Sequence, residues 1–376
     1  MIKKLKTFFF IFISFVIIDF IFSLFFFNRI FLNLEKIYSS DLENRIFNKD
    51  YKYTFKPNAE FESRYNDFLY TIKTNNYGFR DKSSSDVILN KDTILFLGDS
   101  FLEGVGLDYD DTLISNLERL NFNHHINLNA GVSSYSPYIY KKKIISFLKN
   151  NIDVKPKKII ILFDKSDPMD DQQYLSKPIF FQEKVKNLKY EKGLSEKFIS
   201  IAFLKIFGSF LDEKRRDLKY RYIISKKYKT NFFKLKQQQV IAFKSIGTAR
   251  SGSSYYTDNT KWENKTKKFI IFSFEHLKEI EIFLSKRNIE LDIFLFPWPF
   301  ELVDNTAKTN YLSFFNKVNK EYNLKIHNCY DYFLKENILD QLELIGDSFL
   351  YGDYHYNGNG NKILANCIKD KLAYIE

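Results

Sequence analysis

Cysteine and histidine are scarce in this chain, and their scarcity restricts the kinds of site that it can build. The 376 residues include only 2 cysteines, Cys329 and Cys367, which are too few to imply a disulfide framework. The 5 histidines are scattered, so the spacing typical of a zinc site is missing. The sequence therefore predicts neither a bound metal nor a cofactor.

Glycine and proline are also few, at 13 and 7 residues, whereas 45% of the chain is apolar and 27% is charged. This apolar content is enough for a full core and too high for a disordered chain. The length allows one large domain or two small ones.

One long apolar run, Phe8 to Phe27, lies near the N-terminus and is interrupted only by Asp19 and two serines. A helix of about 20 residues spans about 30 Å, the thickness of a bilayer core. Three lysines precede the run, so the positive-inside rule predicts a cytoplasmic N-terminus. We expect residues 1–33 to be a single-pass inner-membrane anchor, with the remaining chain on the extracytoplasmic side. Asp19 is either a contact for a membrane partner or a protonated or partly hydrated side chain, whose insertion cost the surrounding phenylalanines offset.

After a juxtamembrane and lead-in segment at residues 34–90, strands and helices alternate, which is typical of a parallel sheet with helical crossovers. Within the lead-in, Phe61 to Tyr77 alternates aromatic and polar residues and predicts strands or a hairpin. The main domain is placed at residues 91–376. Its predicted parallel strands are Ile94–Leu97, Ile126–Asn129, Lys158–Phe163, Leu291–Phe296 and Leu324–His327.

A basic insert, predicted at residues 177–250, interrupts this alternation. It holds 19 Lys and Arg against 6 Asp and Glu, a net charge of 19 − 6 = +13, while the whole chain is +11. The apolar segment Phe198–Leu211 resembles an interfacial helix beside a basic patch, which would suit an anionic membrane or glycan. The alternative is that the insert forms a helical cap on the core and that its lysines are simply exposed to solvent. Nucleic acid is not an expected partner for a domain outside the cytoplasm.

The stretch from Thr93 to Gly106 predicts a nucleophilic serine. An apolar run leads into Gly98 and then Ser100, which places the hydroxyl at the carboxyl end of a buried strand. Open α/β sheets have their reactive crevice at that end. Gly98 allows a sharp exit from the strand, and Gly104 and Gly106 are expected to leave space for a substrate.

The same five letters, Gly-Asp-Ser-Phe-Leu, recur at Gly346–Leu350. This second copy follows no apolar run and precedes no glycine pair. We therefore expect it to lie in a loop, with Ser348 unreactive.

A polar pair, Asp353 and His355, stands just before the last predicted helix. Residues i and i+2 of an extended segment point to the same side, so the carboxylate can orient the imidazole. A histidine held in this way is a general base for a serine, and the order Ser, Asp, His is an accepted triad variant. The sequence therefore predicts that Ser100, Asp353 and His355 are catalytic.

These segments resemble the SGNH (GDSL) hydrolase family, named for Ser, Gly, Asn and His in four sequence blocks. The first, second and last blocks match at residues 98–100, 129–131 and 353–355. The Asp-x-His spacing resembles that of the membrane-anchored, alginate-acetyltransferase-like branch. Asn75–Arg80 and Phe296–Pro299 also resemble features of anchored bacterial members.

The resemblance covers about residues 70–370 outside the insert. It implies a flavodoxin-like three-layer α/β/α fold with five parallel strands. It also implies that the Ser100 and Gly131 amides donate to the oxyanion. Where the family has an oxyanion-binding Asn after the third strand, this chain has Ser166, whose hydroxyl can donate one hydrogen bond. Ser166 either replaces that donor or only caps the turn, and loss of a donor typically lowers the rate about 10²–10³-fold.

The resemblance implies a serine esterase or O-acyltransferase that acts on acyl, chiefly acetyl, esters of a cell-envelope glycan. Both activities share one acyl-enzyme, so the sequence does not separate them. For a transferase, a membrane partner that donates the acyl group is one option. Two alternatives stay open: a lipid esterase at the membrane surface, and a glycan-binding or assembly protein without turnover.

Overall fold

The computed structural model describes residues 9–22, 40–89, 91–120, 122–176, 199–252 and 254–373. The chain divides into two compact units. The smaller unit comprises residues 1–42 and 180–232, and the larger unit comprises residues 43–179 and 233–376.

In the described ranges the strands are β1 (Arg45–Asn48), β2 (Lys52–Phe55), β3 (Glu60–Tyr65), β4 (Phe68–Thr74), β5 (Arg80–Asp81), β6 (Thr93–Leu97), β7 (Ile126–Asn129), β8 (Pro156–Phe163), β9 (Glu290–Leu295) and β10 (Ile326–Asn328). An eight-stranded sheet with the order β10-β9-β8-β6-β7-β5-β4-β3 organises the larger unit, while β1 and β2 form a separate antiparallel pair. The strands from β10 to β7 in this order run parallel. The predicted mixed α/β fold with five parallel strands is confirmed.

Ten of the helices in the described ranges are α1 (Ser100–Glu103), α2 (Leu113–Arg119), α3 (Pro137–Asn150), α4 (Asp167–Ser176), α5 (Ile199–Lys227), α6 (Gln237–Gly252), α7 (Lys267–Ser285), α8 (Asn305–Tyr322), α9 (Ile338–Ser348) and α10 (Gly358–Ala373). Helix α7 packs against α3, α4 and α8, while α10 packs against α2 and α9, and α9 packs against α6. All five residues of β6 are buried, which requires cover on both faces of the sheet and explains its unbroken apolar run.

Three antiparallel strands extend the parallel sheet at one edge. β3 pairs with β4 as a hairpin, β4 pairs with β5, and β5 joins β7 through Arg80 opposite Asn129. Along β3 the side chains alternate between exposed and buried, as the alternating sequence predicts. Part of the segment that was interpreted as a lead-in therefore belongs to the main sheet.

The predicted N-terminal membrane anchor is wrong for the part of the chain that can be described. The described part of the apolar run, residues 9–22, is helical. Among the described residues, no helix combines the length and the apolar character needed to cross a membrane. This finding contradicts the single-pass inner-membrane location. Phe8 and residues 23–27 of the predicted span lie outside the described residues.

The apolar segment of the insert lies in a longer helix than its sequence suggested. Phe198 lies outside the described residues, and α5 continues from Ile199 to Lys227. Phe207, Phe210 and Leu211 on this helix are exposed. The C-terminal part of the insert, α6, belongs to the larger unit.

The second Gly-Asp-Ser copy lies in a helix, which corrects the predicted loop. Gly346 and Ser348 belong to the last turn of α9, and Ser348 is buried. A Cβ at Gly346 would lie 2.1 Å from the Gln238 carbonyl oxygen. The glycine here therefore allows α9 to approach α6 closely, and it does not shape a turn around a nucleophile.

Cys329 and Cys367 form a disulfide, although the sequence implied no disulfide framework. Cys329 precedes the 3₁₀ turn Tyr330–Phe333, and Cys367 lies in α10. The two residues are 38 positions apart, so only the folded backbone brings them together.

Candidate active site

Ser100 is the first residue of α1, directly after β6 and a short turn. Asp99 caps this helix, and its Oδ1 accepts a hydrogen bond from the Phe101 N–H at 3.0 Å. First-turn N–H groups of a helix have no intrahelical acceptor. The local sequence thus presents both the hydroxyl and the backbone N–H of Ser100 at the carboxyl end of the sheet.

The structure brings Ser100, His355 and Asp353 into one chain of hydrogen bonds. Ser100 Oγ lies 2.8 Å from His355 Nε2, and His355 Nδ1 lies 2.6 Å from Asp353 Oδ1. When Nδ1 donates to the carboxylate, Nε2 has a free lone pair and can accept the serine proton. His355 and Asp353 are both buried, at 3% and 4% exposure, so solvent competes little for these bonds.

The Asp353 carboxylate is held in its charged form. Burial raises its pKa, but the hydrogen bond and charge of His355, the His355 N–H and the Tyr65 hydroxyl together lower that pKa below its usual value. The Tyr354 and His355 N–H groups donate to Oδ1 at 2.8 and 3.0 Å. Asp353 is therefore oriented by its own turn as well as by the imidazole.

Tyr65 and Asn66, which the sequence interpretation missed, contact the same carboxylate. Tyr65 OH lies 3.2 Å from Asp353 Oδ2, and Asn66 Nδ2 lies 3.0 Å from that oxygen. Burial and the neighbouring Asp353 raise the pKa of Tyr65, so it stays a neutral donor. Tyr65 and Asn66 lie where β3 turns into β4, nearly 290 positions away from Asp353 along the chain, and no local signal in the sequence marks them.

Arg80, singled out in the sequence at the end of Asn75–Arg80, supports the turn after Ser100. Its buried guanidinium donates to the carbonyl oxygens of Glu103 at 2.6 Å and Gly104 at 2.7 Å, and also to that of Leu107. These three carbonyls belong to the last residue of α1 and to the loop that follows it. Arg80 therefore fixes the loop that turns the chain away from the serine.

Glu103 links α1 to the loop after β7. It forms an ion pair with Arg45 at 2.7 Å and accepts from the Ser133 N–H and Oγ at 2.6 and 2.7 Å. Burial raises the pKa of Glu103, but Arg45 and the Ser133 donors outweigh it and lower that pKa. The buried Glu103 carboxylate thus fixes the end of α1 relative to the loop after β7.

The two glycines after α1 do not clear space for a substrate as predicted. Gly104 and Gly106 adopt φ values of 77° and 76°. A Cβ at Gly104 would meet Thr112 at 2.9 Å, and one at Gly106 would meet Leu350 at 3.0 Å. Protein atoms fill this region, so the glycines are needed for a left-handed backbone and close packing.

Gly131 lies after β7, and its N–H already has an acceptor. That N–H donates to Asn129 Oδ1 at 3.1 Å, while Asn129 Nδ2 donates to the Leu102 carbonyl at 3.0 Å. Asn129 thus ties the Gly131 loop to α1. Any bond from the Gly131 N–H to an oxyanion would be shared with this acceptor.

Ser166 closes the turn after β8. Both its hydroxyl and its N–H donate to Asp164 Oδ2, at 2.5 and 2.9 Å. Asp164 Oδ1 in turn accepts from Trp298 Nε1 at 2.7 Å. The single hydroxyl proton of Ser166 is therefore bound to Asp164.

Asp99, the residue before Ser100, and Asp167 are both buried and have strongly raised pKa values. Burial is the main cause for Asp99 and for Asp167, and the charge of Asp164 adds to both. The protonated form of these groups carries no charge that would oppose a developing oxyanion. In the described ranges, no cluster of three or more His, Cys, Asp or Glu side chains could hold a metal ion.

Comparison with known proteins gives distant structural likenesses only. No family model matches the chain, and no curated protein matches it. It is similar to a GDSL-like lipase from Bacteroides thetaiotaomicron (12% identity, 77% of this chain and 92% of that chain, TM-score 0.35). It is also similar to a psychrotrophic esterase from Pseudoalteromonas sp. (10% identity, 76% of this chain and 98% of that chain, TM-score 0.38). An acetyl xylan esterase is similar at 13% identity over 74% of this chain and 99% of that chain, with a TM-score of 0.37. Likenesses this low carry no conclusion about the reaction.

Proposed function

We propose that this protein is a serine ester hydrolase with Ser100 as nucleophile, His355 as general base and Asp353 as the group that orients it. One observation carries the proposal: Ser100 Oγ, His355 and Asp353 form a continuous hydrogen-bonded chain, with distances of 2.8 and 2.6 Å. A serine activated in this way attacks acyl carbonyl groups.

In the proposed acylation step, Ser100 Oγ bonds to the acyl carbonyl carbon while His355 Nε2 takes the hydroxyl proton. The bond from that carbon to the alcohol oxygen then breaks, and the alcohol leaves with the proton from His355. A water molecule next attacks the acyl-enzyme and gives a proton to His355. The carboxylic acid departs, and Ser100 recovers its proton from His355.

The Ser100 N–H is the main oxyanion donor in this proposal. It is a first-turn amide of α1, and it has no acceptor among the residues that the structure describes. The Gly131 N–H is the second donor, shared with Asn129. Ser166 is left out, since Asp164 holds its hydroxyl proton.

We further propose acetyl esters of a cell-envelope glycan as the substrate class, with transfer to a second hydroxyl as the variant reaction. Tyr354, next to His355, is half-buried and stacks on Trp298 with ring centroids 4.5 Å apart. In this proposal, the exposed part of Tyr354 is the surface that a sugar ring would contact. In the transferase form, a partner supplies the acyl group and a glycan hydroxyl replaces water.

The test combines active-site labelling with ester hydrolysis on the full chain. We expect a fluorophosphonate probe to label the wild type and not Ser100→Ala, and p-nitrophenyl acetate turnover to be lost in the same variant. Ser348→Ala is the matched control, because it changes the serine of the repeated five-letter motif in the buried end of α9. Equal losses in both folded variants would refute the role of Ser100.

Substrate class is tested with the same protein. A preference for p-nitrophenyl acetate over the octanoate, together with release of acetate from an acetylated polysaccharide, supports the glycan ester. A preference for the long acyl chain would instead favour a lipid esterase. Absence of labelling and of turnover would favour a binding protein without catalysis.

A further inference from the structure

The turn of the β3–β4 hairpin reaches the site from the antiparallel edge of the sheet. In this hairpin Tyr65 pairs with Phe68, so Asn66 lies at the tip of the turn. Asn66 has a φ of 52°, a left-handed conformation that asparagine tolerates better than most residues. The hairpin geometry therefore directs two consecutive side chains, those of Tyr65 and Asn66, to one place.

That place is the oxygen of Asp353 that His355 does not use. Oδ1 accepts from His355 Nδ1 and from two backbone N–H groups. Oδ2 accepts from Tyr65 OH at 3.2 Å and from Asn66 Nδ2 at 3.0 Å. Without the hairpin, Oδ2 would have no donor among the hydrogen bonds that the described residues make to it.

Tyr65 also contacts the imidazole itself. Its hydroxyl lies 3.1 Å from His355 Nδ1, and the two rings meet edge to face, with centroids 5.1 Å apart and planes at 87°. A ring held on its edge by a neighbour has less freedom to rotate away from Ser100. Tyr65 therefore restrains both members of the acid–base pair.

We propose that Tyr65 and Asn66 are positioning residues that hold the Asp353–His355 pair in the geometry needed to activate Ser100. The inference rests on the proposed function, and it assigns to the antiparallel extension of the sheet a part in the site. Neither side chain touches the reacting atoms, so the residues act through Asp353 and His355.

The test removes one donor at a time from the full chain. Tyr65→Phe deletes only the hydroxyl, and Asn66→Gly deletes the amide while keeping a left-handed backbone accessible. A lost hydrogen bond to a carboxylate lowers kcat about ten-fold, with KM within two-fold, because the lost contact serves the transition state. Tyr70→Phe is the matched control: it removes a buried hydroxyl that accepts from Ser63 in the same hairpin. We expect its kcat to stay within two-fold.

A double-mutant cycle separates positioning from general stability. In an Asp353→Ala background, Asn66→Gly should have no further effect on the residual rate, since its target is gone. Tyr65→Phe should have a smaller effect there than in the wild type, because the hydroxyl keeps only its contact with His355. An equal fold-loss in both backgrounds, or an unchanged kcat in both single variants, would overturn the proposal.

A second readout works even if the protein turns over no ester. Proton NMR of the wild type should show a far-downfield resonance from the His355 Nδ1 proton, absent in Asp353→Ala. Tyr65→Phe should shift this resonance and Tyr70→Phe should not. If Tyr65→Phe leaves the resonance at its wild-type position, the positioning role is refuted. If the resonance shifts but the protein has no esterase activity, only the proposed reaction is refuted.

Discussion

Replacing Lys143 with methionine should stabilise the larger unit near neutral pH. Lys143 lies in α3 and is 2% exposed. Its Nζ lies among the rings of Tyr51, Phe79 and Tyr135, with distances to the ring centroids of 5.5, 5.1 and 4.7 Å. Burial lowers the pKa of Lys143 from 10.5 to about 7, although the charge of Glu103 acts in the opposite direction.

The size of the effect follows from these two pKa values. Between pH 7 and 10.5 the unfolded chain keeps the lysine proton and the folded chain does not, so stability rises with pH across this window. At one pKa unit per 1.36 kcal/mol, the lysine destabilises the fold by about 4 kcal/mol at pH 7 and about 2 kcal/mol at pH 9. Methionine has a similar shape and removes this penalty. The lost hydrogen bonds to Tyr135 and Thr54, at 3.3 and 3.5 Å, subtract about 1 kcal/mol at either pH.

Urea unfolding followed by tryptophan fluorescence is the appropriate assay. Both tryptophans, Trp262 and Trp298, lie in the larger unit, so the signal reports on that unit alone. The difference in unfolding free energy between Lys143→Met and the wild type should be about 2 kcal/mol larger at pH 7 than at pH 9. A difference that is the same at both pH values, or a variant less stable than the wild type at pH 7, would refute the reasoning.

Two other substitutions test the loops around the site. Arg80→Met should lower the unfolding free energy, measured by urea unfolding, by about 3 kcal/mol or more, because three carbonyls at and after the end of α1 lose their donor. Arg80→Lys keeps the charge but not the planar guanidinium with its several N–H donors. Its unfolding free energy should therefore lie between those of Arg80→Met and the wild type. Ser166→Ala should lower stability by about 1 kcal/mol and leave kcat nearly unchanged, since the hydroxyl caps Asp164. A 10- to 1,000-fold loss of kcat with unchanged stability would instead make Ser166 an oxyanion donor.

The features predicted well from the sequence have local signals. The parallel strands are apolar runs, and β7 was placed with its observed ends, Ile126 and Asn129. The Asp-x-His spacing and the turn after β6 are equally local, so the residues that meet at 2.8 and 2.6 Å could be named beforehand.

The features that were missed depend on which segments meet in space. Tyr65 and Asn66 reach Asp353 only because β3 and β4 add to the sheet edge in one register. The pairing of Cys329 with Cys367 likewise needs the final position of α10. The second Gly-Asp-Ser copy has the same letters as the first, yet the amphipathic run before it makes a helix. The N-terminal apolar run predicts a membrane span by its composition, whereas among the described residues no helix is long and apolar enough to cross a membrane.

The Cys329–Cys367 disulfide makes the segment between these residues a covalently closed ring. Asp353 and His355 both lie inside it. A protease that cuts the backbone once within the ring therefore releases no fragment, because the sulfur bridge still joins the two new ends. The nicked chain would migrate as one band on a gel without reductant and as two bands with it, and its acid–base pair would stay attached to the rest of the molecule.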